Sequence, residues 1–243
     1  WYNCYDCGYG DTYLKRAKAT LDAEGMATIA QPLDFNTLFK GKDRNQSKIF
    51  VLHGTIKDKQ GKSVSFQKSF IVHRGDFYLG AKTDPSFIGV NQPVTLHAKT
   101  VDMQGKPIGR NNVTIVVNKV TWQSYKRQEV DGGFYNRYEQ VLTPVITKNI
   151  STNYSGDYSE QIKLADPGQY EIDAVAKDDK GNDIKSVSDL YVYGAGTIDV
   201  RPTNNATLDL KADKTNVKVG ENAKFLIQSP YPHAKALISI ERG

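Results

Sequence analysis

Cysteine is scarce in this sequence of 243 residues, which contains only Cys4 and Cys7. A zinc site would need a second cysteine pair or nearby histidines, and a thioredoxin-like redox pair would begin a helix. Neither context is visible around Cys-Tyr-Asp-Cys, because the histidines lie far along the chain at His53, His73, His97 and His233. Two interpretations remain open: a short disulfide between Cys4 and Cys7, or two idle thiols near the amino terminus. We predict no metal and no cofactor.

Long apolar runs are also missing. No stretch approaches the roughly 18 apolar residues that a membrane helix requires, so the sequence predicts no membrane span. The first residue is Trp1 rather than methionine, and no signal peptide is visible. We therefore expect a processed or excised piece of a longer protein.

Charge of one sign is not concentrated anywhere in the chain. The 32 basic residues against 27 acidic ones leave a net charge of +5, and the signs alternate along the sequence. A nucleic-acid-binding protein usually clusters its lysines and arginines, so we predict no nucleic-acid partner. Gly-x-Ser-x-Gly, His-Glu-x-x-His and phosphate-loop patterns are absent as well, so we predict that the chain is not an enzyme.

Strand-like alternation of apolar and polar residues is abundant. It runs through residues 64–72, 94–99, 113–117 and 170–176, where a period of two places one set of side chains on a core face. Aspartate and glycine turn signals separate such runs at residues 58–61, 102–105, 131–133 and 178–181. The pattern predicts an all-β chain of tandem antiparallel β-sandwich domains, with a short helix only around residues 33–39.

A group of aspartates in the second half of the chain raises the question of calcium. The group consists of Asp166, Asp173, Asp178, Asp179 and Asp183. A calcium loop of the EF-hand type needs oxygen ligands at alternating positions and a distal glutamate, which this segment lacks. A hairpin turn explains residues 178–181 better, because turns are built from the same residue types.

The sequence contains an internal repeat. Residues 49–73 align with 169–193 at a constant offset of 120, and residues 82–96 align with 211–225 at an offset of 129. The end of one unit and the beginning of one unit therefore each occur twice. We predict three segments: residues 1–75 as the C-terminal part of one sandwich, 76–196 as a complete sandwich of about seven strands, and 197–243 as the N-terminal part of the next.

An aromatic-rich hairpin at residues 122–140 is the one candidate interaction site. It carries Trp122, Tyr125, Phe134, Tyr135 and Tyr138. In one interpretation these residues form an aromatic surface ribbon that binds a partner, since exposed aromatics are frequent anchors. In the other they pack across strands inside the sandwich, which is the more common role of aromatics in β proteins.

Several segments resemble the macroglobulin domains of bacterial-type alpha-2-macroglobulins. In the central unit these are residues 75–80 leading into 94–96, residues 105–107 with Trp122, and residues 168–170 followed by 178–181. The most specific likeness lies at residues 212–214, 219–223, 229–231 and 236–243. The resemblance covers nearly the whole chain and is weakest over residues 1–48. It implies macroglobulin-like, fibronectin- or Ig-like sandwiches from the N-terminal half of such a protein.

The resemblance also implies a function. Proteins of this family are broad-spectrum protease traps: a protease cuts an exposed bait segment, the shell of macroglobulin domains rearranges, and in many members a thioester bonds the protease. The thioester motif Cys-x-Glu-Gln is absent here, because Glu139-Gln140 and Glu160-Gln161 lack the cysteine. The chain is then expected to be scaffold, with target proteases and neighbouring macroglobulin domains as partners and a periplasmic, cell-envelope or secreted location.

A different class of protein fits composition and periodicity equally well. An Ig-like stalk or adhesin repeat of a secreted or cell-surface protein would show the same strands, the same turns and the same tandem repetition. The sequence that follows residue 243 in a longer protein would distinguish the two, because a trap continues through a bait loop.

Overall fold

A computed structural model describes residues 16–30, 47–128, 134–195, 209–214, 216–228 and 235–241. Every regular element in this part of the chain is a strand, which confirms the all-β prediction. Across the same ranges, nothing helical is long and apolar enough to cross a membrane. Cys4, Cys7, the helix expected at residues 33–39 and the turn at residues 131–133 lie outside the described residues.

Twelve strands occur in the described ranges. They are β1 (Lys48–Lys57), β2 (Ser63–Val72), β3 (Phe77–Asp84), β4 (Phe87–Gly89), β5 (Val94–Asp102), β6 (Val113–Gln128), β7 (Phe134–Ile150), β8 (Asp157–Ile162), β9 (Gly168–Lys177), β10 (Asp183–Tyr193), β11 (Asp209–Ala212) and β12 (Phe225–Gln228).

Strands β3 to β10 form a two-layer sandwich. One sheet has the order β3-β5-β8, and the other has the order β4-β10-β9-β6-β7. All neighbours are antiparallel except the three-residue β4, which runs parallel to the end of β10. The sandwich therefore has eight strands, where the sequence predicted about seven.

The hydrophobic core lies between these two sheets, and strand alternation produces it. In β3, Phe77, Leu79 and Ala81 are buried, whereas Tyr78 and Lys82 on the opposite face are exposed. Fully burying a large aliphatic side chain contributes about 1.5–3 kcal/mol, so the facing rows supply most of the stabilisation. The most deeply buried members of the core include Phe77, Leu96, Val113, Ile115, Val117, Ile172 and Leu190.

Three turns share one construction. In each, an aspartate Oδ1 accepts the backbone N–H groups two and four residues later, at 2.7–3.0 Å. A glycine three positions after the aspartate takes the left-handed conformation that side chains disfavour. The aspartates are Asp58, Asp102 and Asp178, and the glycines Gly61, Gly105 and Gly181 have φ of 85°, 83° and 82°.

The β1–β2 hairpin has the same strand register as the β9–β10 hairpin. Lys48 pairs with Val72 and Lys57 with Ser63, while Gly168 pairs with Val192 and Lys177 with Asp183. Adding 120 to each pair of the first hairpin gives a pair of the second, which is the offset of the sequence repeat. The burial differs: β1 and β2 form a two-stranded sheet by themselves among the described strands, and most of their apolar side chains are exposed.

The short β11–β12 pair repeats part of β3–β5 in the same way. Asp209 pairs with Gln228, and subtracting 129 from both gives the pair of Gly80 with Lys99. The second sequence repeat is thus also a repeat of strand pairing. Its contacts with the sandwich include a 3.4 Å hydrogen bond from Ser86 Oγ to the Ala212 carbonyl, and Lys211 Nζ lies 5.5 Å from the Tyr191 ring centre.

By compactness the chain divides into two units, Trp1–Gln46 and Ser47–Gly243. The described residues of the first unit, 16–30, are exposed and contain one turn, in which the Met26 N–H donates to the Asp22 carboxylate at 2.7 Å. All the strands named above belong to the second unit.

Candidate interaction surface

The β6–β7 hairpin extends well beyond the sheet that contains it. Strand β6 pairs with β9 only from Thr114 to Val120, but it pairs with β7 as far as Gln128. Residues 121–128 and 134–141 therefore form a two-stranded ribbon, called the ribbon below. Its eight residue pairs span about 25 Å at roughly 3.3 Å per residue.

The sequence-predicted aromatics lie on this ribbon. Trp122 and Tyr138 are half-buried, and Tyr125 is 42% exposed. Phe134 and Tyr135 begin the returning strand, and their side chains are outside the described part. Directly paired residues share a face of a sheet. Because Tyr138 pairs with Ser124 and Tyr125 pairs with Arg137, the ribbon carries aromatic side chains on both of its faces.

A buried polar cluster lies where the ribbon leaves the sheet. Asn118 and Asp173 are only 4% and 8% exposed, although they point away from the sandwich core. Asn118 Nδ2 donates to Asp173 Oδ2 at 2.9 Å, and Lys185 Nζ lies 2.8 Å from Asp173 Oδ1. The hydrogen bond from Asn118 and the positive charge of Lys185 offset the cost of burying this carboxylate. The cluster therefore ties β6 to β9 and β10 at the base of the ribbon.

The same base contains an irregularity in the β6–β7 pairing. Val117 pairs with Ile146 and Asn118 with Pro144, so Val145 has no opposite residue. A bulge of this kind bends a strand and increases its twist. Strand β7 is an edge of the sheet, where the missing N–H of Pro144 is tolerated. The bulge and the polar cluster together set the direction in which the ribbon projects.

Glu171 at this base has a pKa above its ordinary value. Burial raises the pKa of Glu171; a hydrogen bond from Gln140 Nε2 (3.1 Å) partly offsets this, and the nearby carboxylates of Asp173 and Asp189 raise it further. A carboxyl group with a raised pKa favours folding most when protonated. Its contribution is full at low pH and is lost as the pH rises through the pKa of the folded state.

We predict that Glu171→Gln raises the melting temperature at neutral pH. The variant keeps an oxygen that accepts the Gln140 hydrogen bond but removes the charge that burial disfavours. At about pH 3, below the ordinary glutamate pKa of roughly 4.3, the two proteins should melt together. Glu160→Gln is a contrasting variant, because Lys148 and Tyr158 lower the pKa of Glu160. A lower melting temperature for Glu171→Gln at neutral pH would contradict the prediction.

The aspartates considered for calcium do not gather into a metal site. Across the described ranges, no group of three or more histidine, cysteine, aspartate or glutamate side chains could hold a metal ion. The Asp178 carboxylate instead accepts hydrogen bonds from Lys180 and Asn182 of its own turn. This arrangement is the hairpin turn that the sequence favoured.

Sequence reasoning missed two polar features. One is the buried cluster at the base of the ribbon. Its only signal in the sequence is that Asn118 is flanked by Val116 and Val120 on the strand face that alternation assigns to solvent. The other is at the start of β9, where the buried Tyr170 donates its hydroxyl hydrogen to the Asp166 carbonyl at 2.9 Å. Such a tyrosine corner fixes the entry of a strand into a sandwich.

Comparison with known proteins identifies the sandwich. Residues 82–192 match the family described as bacterial macroglobulin domain 6. An alpha-2-macroglobulin of Rickettsia conorii is 22% identical over 94% of this chain and 12% of its own length. An alpha-2-macroglobulin homolog of a Nostoc species is 25% identical over 76% of this chain and 10% of its own length. The chain thus spans about a tenth of the length of these relatives.

Two solved structures are similar at lower identity. The native conformation of the E. coli alpha-2-macroglobulin has a TM-score of 0.43 at 13% identity, covering 76% of this chain and 12% of that one. The Salmonella alpha-2-macroglobulin reacted with methylamine has a TM-score of 0.44 at 13% identity, covering 79% and 13%. Residues 82–192 thus match a bacterial macroglobulin domain, and the chain as a whole is similar to a segment of bacterial alpha-2-macroglobulins.

Proposed function

We propose that this chain is a scaffold segment of a broad-spectrum protease-trapping inhibitor. The family match is the observation that carries the proposal. The two repeated registers support it, because a trap of this kind is a shell of consecutive macroglobulin domains. In this role the chain forms part of the shell and joins neighbouring domains, while the bait segment and any thioester belong to other parts of the protein.

The chemistry of the chain agrees with a scaffold role. Cys-x-Glu-Gln does not occur in the sequence, so no residue here forms the covalent bond of a thioester trap. Several buried polar groups of the sandwich are engaged in structural contacts: the Thr100 and Thr152 hydroxyls bond to each other at 2.7 Å, Asn118 donates to Asp173, and Lys185 lies beside Asp173. We infer that the chain is not an enzyme.

The domain limits are part of the proposal. Residues 76–196 are one complete domain, residues 1–75 contain the end of the preceding one, and residues 197–243 begin the next. The β1–β2 register supports the first limit and the β11–β12 register supports the second, since each reproduces a part of the central sandwich pair for pair.

We assign the ribbon a contact role within the assembled shell. An isolated two-stranded hairpin is marginally stable in water, so a ribbon of this length gains from packing against another surface. Tyrosine, tryptophan and arginine are the residues most enriched at the energetic centres of interfaces, and the ribbon presents Trp122, Tyr125, Arg137 and Tyr138. Its partner in this proposal is a neighbouring macroglobulin domain. The location follows from the function: periplasmic, cell-envelope or secreted.

Protease assays test the proposal. This chain alone should leave trypsin-like and elastase-like cleavage of both a small peptide and a large protein substrate unchanged, because it has neither bait nor thioester. The full-length protein should protect the large substrate while the small one is still cleaved. Tight one-to-one inhibition by this chain, or no protection by the full-length protein, would overturn the trap assignment, and the second result would favour a stalk or adhesin.

A further inference from the structure

Residues 73–76 connect β2 to β3 and so join the β1–β2 hairpin to the central sandwich. A linker between tandem domains is commonly flexible, with few contacts to either side. Here His73, Arg74, Gly75 and Asp76 are all partly buried. The contacts responsible come from two different parts of the sandwich.

The first set of contacts comes from the turn between β9 and β10. The Asp178 carboxylate, which holds that turn, also accepts the backbone N–H of Asp76. Burial by itself raises the pKa of Asp178, but hydrogen bonds from Asn182, Lys180 and Asp76 outweigh it, so the pKa lies below its ordinary value. The linker is therefore bound by an ionised carboxylate.

Gly75 allows this close approach. A Cβ atom at position 75 would lie 2.2 Å from Ile184 Cδ1 and 2.9 Å from Asp178 Oδ2. Both distances are shorter than a van der Waals contact, so a side chain at position 75 would displace the Ile184 side chain or the Asp178 carboxylate. Next to it, Arg74 Nη1 donates to Asn182 Oδ1 at 3.3 Å.

Arg110 closes the same side of the linker. Its guanidinium lies 4.5 Å from the Phe77 ring centre, 3.3 Å from Asp76 Oδ1 and 3.6 Å from Asp179 Oδ1. The Arg110 and Asp76 side chains are only 26% and 30% exposed, so their ion pair is less screened than a surface pair, whereas Asp179 is 83% exposed. One side chain thus links the β5–β6 connection, the linker and the β9–β10 turn.

A second set of contacts holds the hairpin from β3. The Tyr78 hydroxyl donates to Ser47 Oγ at 3.2 Å and lies 2.6 Å from His73 Nδ1. Ser47 Oγ also accepts the Arg74 N–H at 3.0 Å. The base of the hairpin therefore contacts the sandwich through Ser47 and His73 as well as through residues 74–76.

We propose that residues 73–76 form a rigid clamp, closed by Arg110 and Asp178, that fixes the angle between the β1–β2 hairpin and the central sandwich. The clamp would make two successive repeats move as one body when the shell rearranges. The clamp itself rests only on contacts within this chain, so it stands or fails independently of the protease-trap function.

Distances between two spin labels test the clamp. We would label Ser69→Cys near the base of the hairpin and Lys163→Cys on the sandwich, in a chain whose Cys4 and Cys7 are replaced by serine. Pulsed electron spin resonance should give one narrow distance distribution for the parent protein. Arg110→Gln and Asp178→Asn should each roughly double its width, as expected when a packed junction becomes a hinge.

Two matched variants separate the clamp from general loosening. Asp58→Asn alters the same turn in the β1–β2 hairpin, and Lys99→Gln removes the exposed Lys99–Asp157 pair of the sandwich. Both should leave the distribution narrow. The proposal is overturned if the parent distribution is already broad, or if Arg110→Gln and Asp178→Asn leave it narrow while circular dichroism shows an intact sandwich. If Arg110→Gln unfolds the domain, the width of the distance distribution in Asp178→Asn tests the proposal by itself.

Discussion

Replacing Gly156 with alanine should destabilise the central sandwich by about 4 kcal/mol, near the upper end of single-substitution effects. Gly156 has φ of 71°, and a Cβ atom there would lie 2.2 Å from the Thr100 carbonyl oxygen. That carbonyl cannot move freely, because the Thr100 N–H donates to the Gly156 carbonyl at 2.8 Å and Thr100 is completely buried. The substitution therefore adds a backbone clash to conformational strain.

Gly105→Ala is the matched control for this experiment. Gly105 has φ of 83°, but nothing lies within 4 Å of its added Cβ, so only the conformational cost of about 1–2 kcal/mol remains. Urea unfolding followed by Trp122 fluorescence, in a Trp1→Phe background, measures both. Equal losses of stability for the two variants would show that the corner around Thr100 relaxes freely.

Ile172→Ala should lower the free energy of unfolding by about 3–4 kcal/mol, the range for deleting a buried aliphatic side chain and leaving a cavity. Ile172 is 0% exposed at the centre of β9, between the two sheets. Its repeat equivalent is Leu52, in the same position of the β1–β2 hairpin but 52% exposed. Leu52→Ala should change stability by less than about 0.5 kcal/mol, as usual for a surface position.

This pair of variants also tests the domain proposal. We assume here that residues 76–196 are the complete domain and that the β1–β2 hairpin is the end of another. Truncating the side chain at the same repeat position should then lower the stability of the sandwich strongly at Ile172 and hardly at all at Leu52. Similar losses of stability at both positions, measured by the same unfolding assay, would mean that the hairpin is part of the cooperative core.

The fold was predictable from sequence because strand alternation and turn chemistry act locally. In β5 and β9, most of the alternate residues on one face are apolar, and the structure buries these apolar residues. Asp58, Asp102 and Asp178 each hold a turn through their own side chain and a glycine three residues later. The repeat was visible for the same reason, since equal local patterns formed hairpins of equal register.

The outer face of the five-stranded sheet was not predictable in this way. Parity places Asn118 and Asp173 on the face assigned to solvent, yet both are buried. Period-two alternation distinguishes two faces of a strand but carries no information on whether the second face is covered. The parallel pairing of β4 with β10 was also invisible, because three residues are too few to show a period.

By itself, the sequence determined the strands, their turns, the repeat of register and the family resemblance, because each depends on residues close together along the chain. Only the tertiary structure decided how far the ribbon projects past β9 and which polar groups at its base are buried. It also decided that Arg110 and Asp178 both contact the linker at Asp76. These depend on residues up to about a hundred positions apart, such as Asp76 and Asp178. Their meeting depends on how the two sheets pack, and no local pattern encodes that packing.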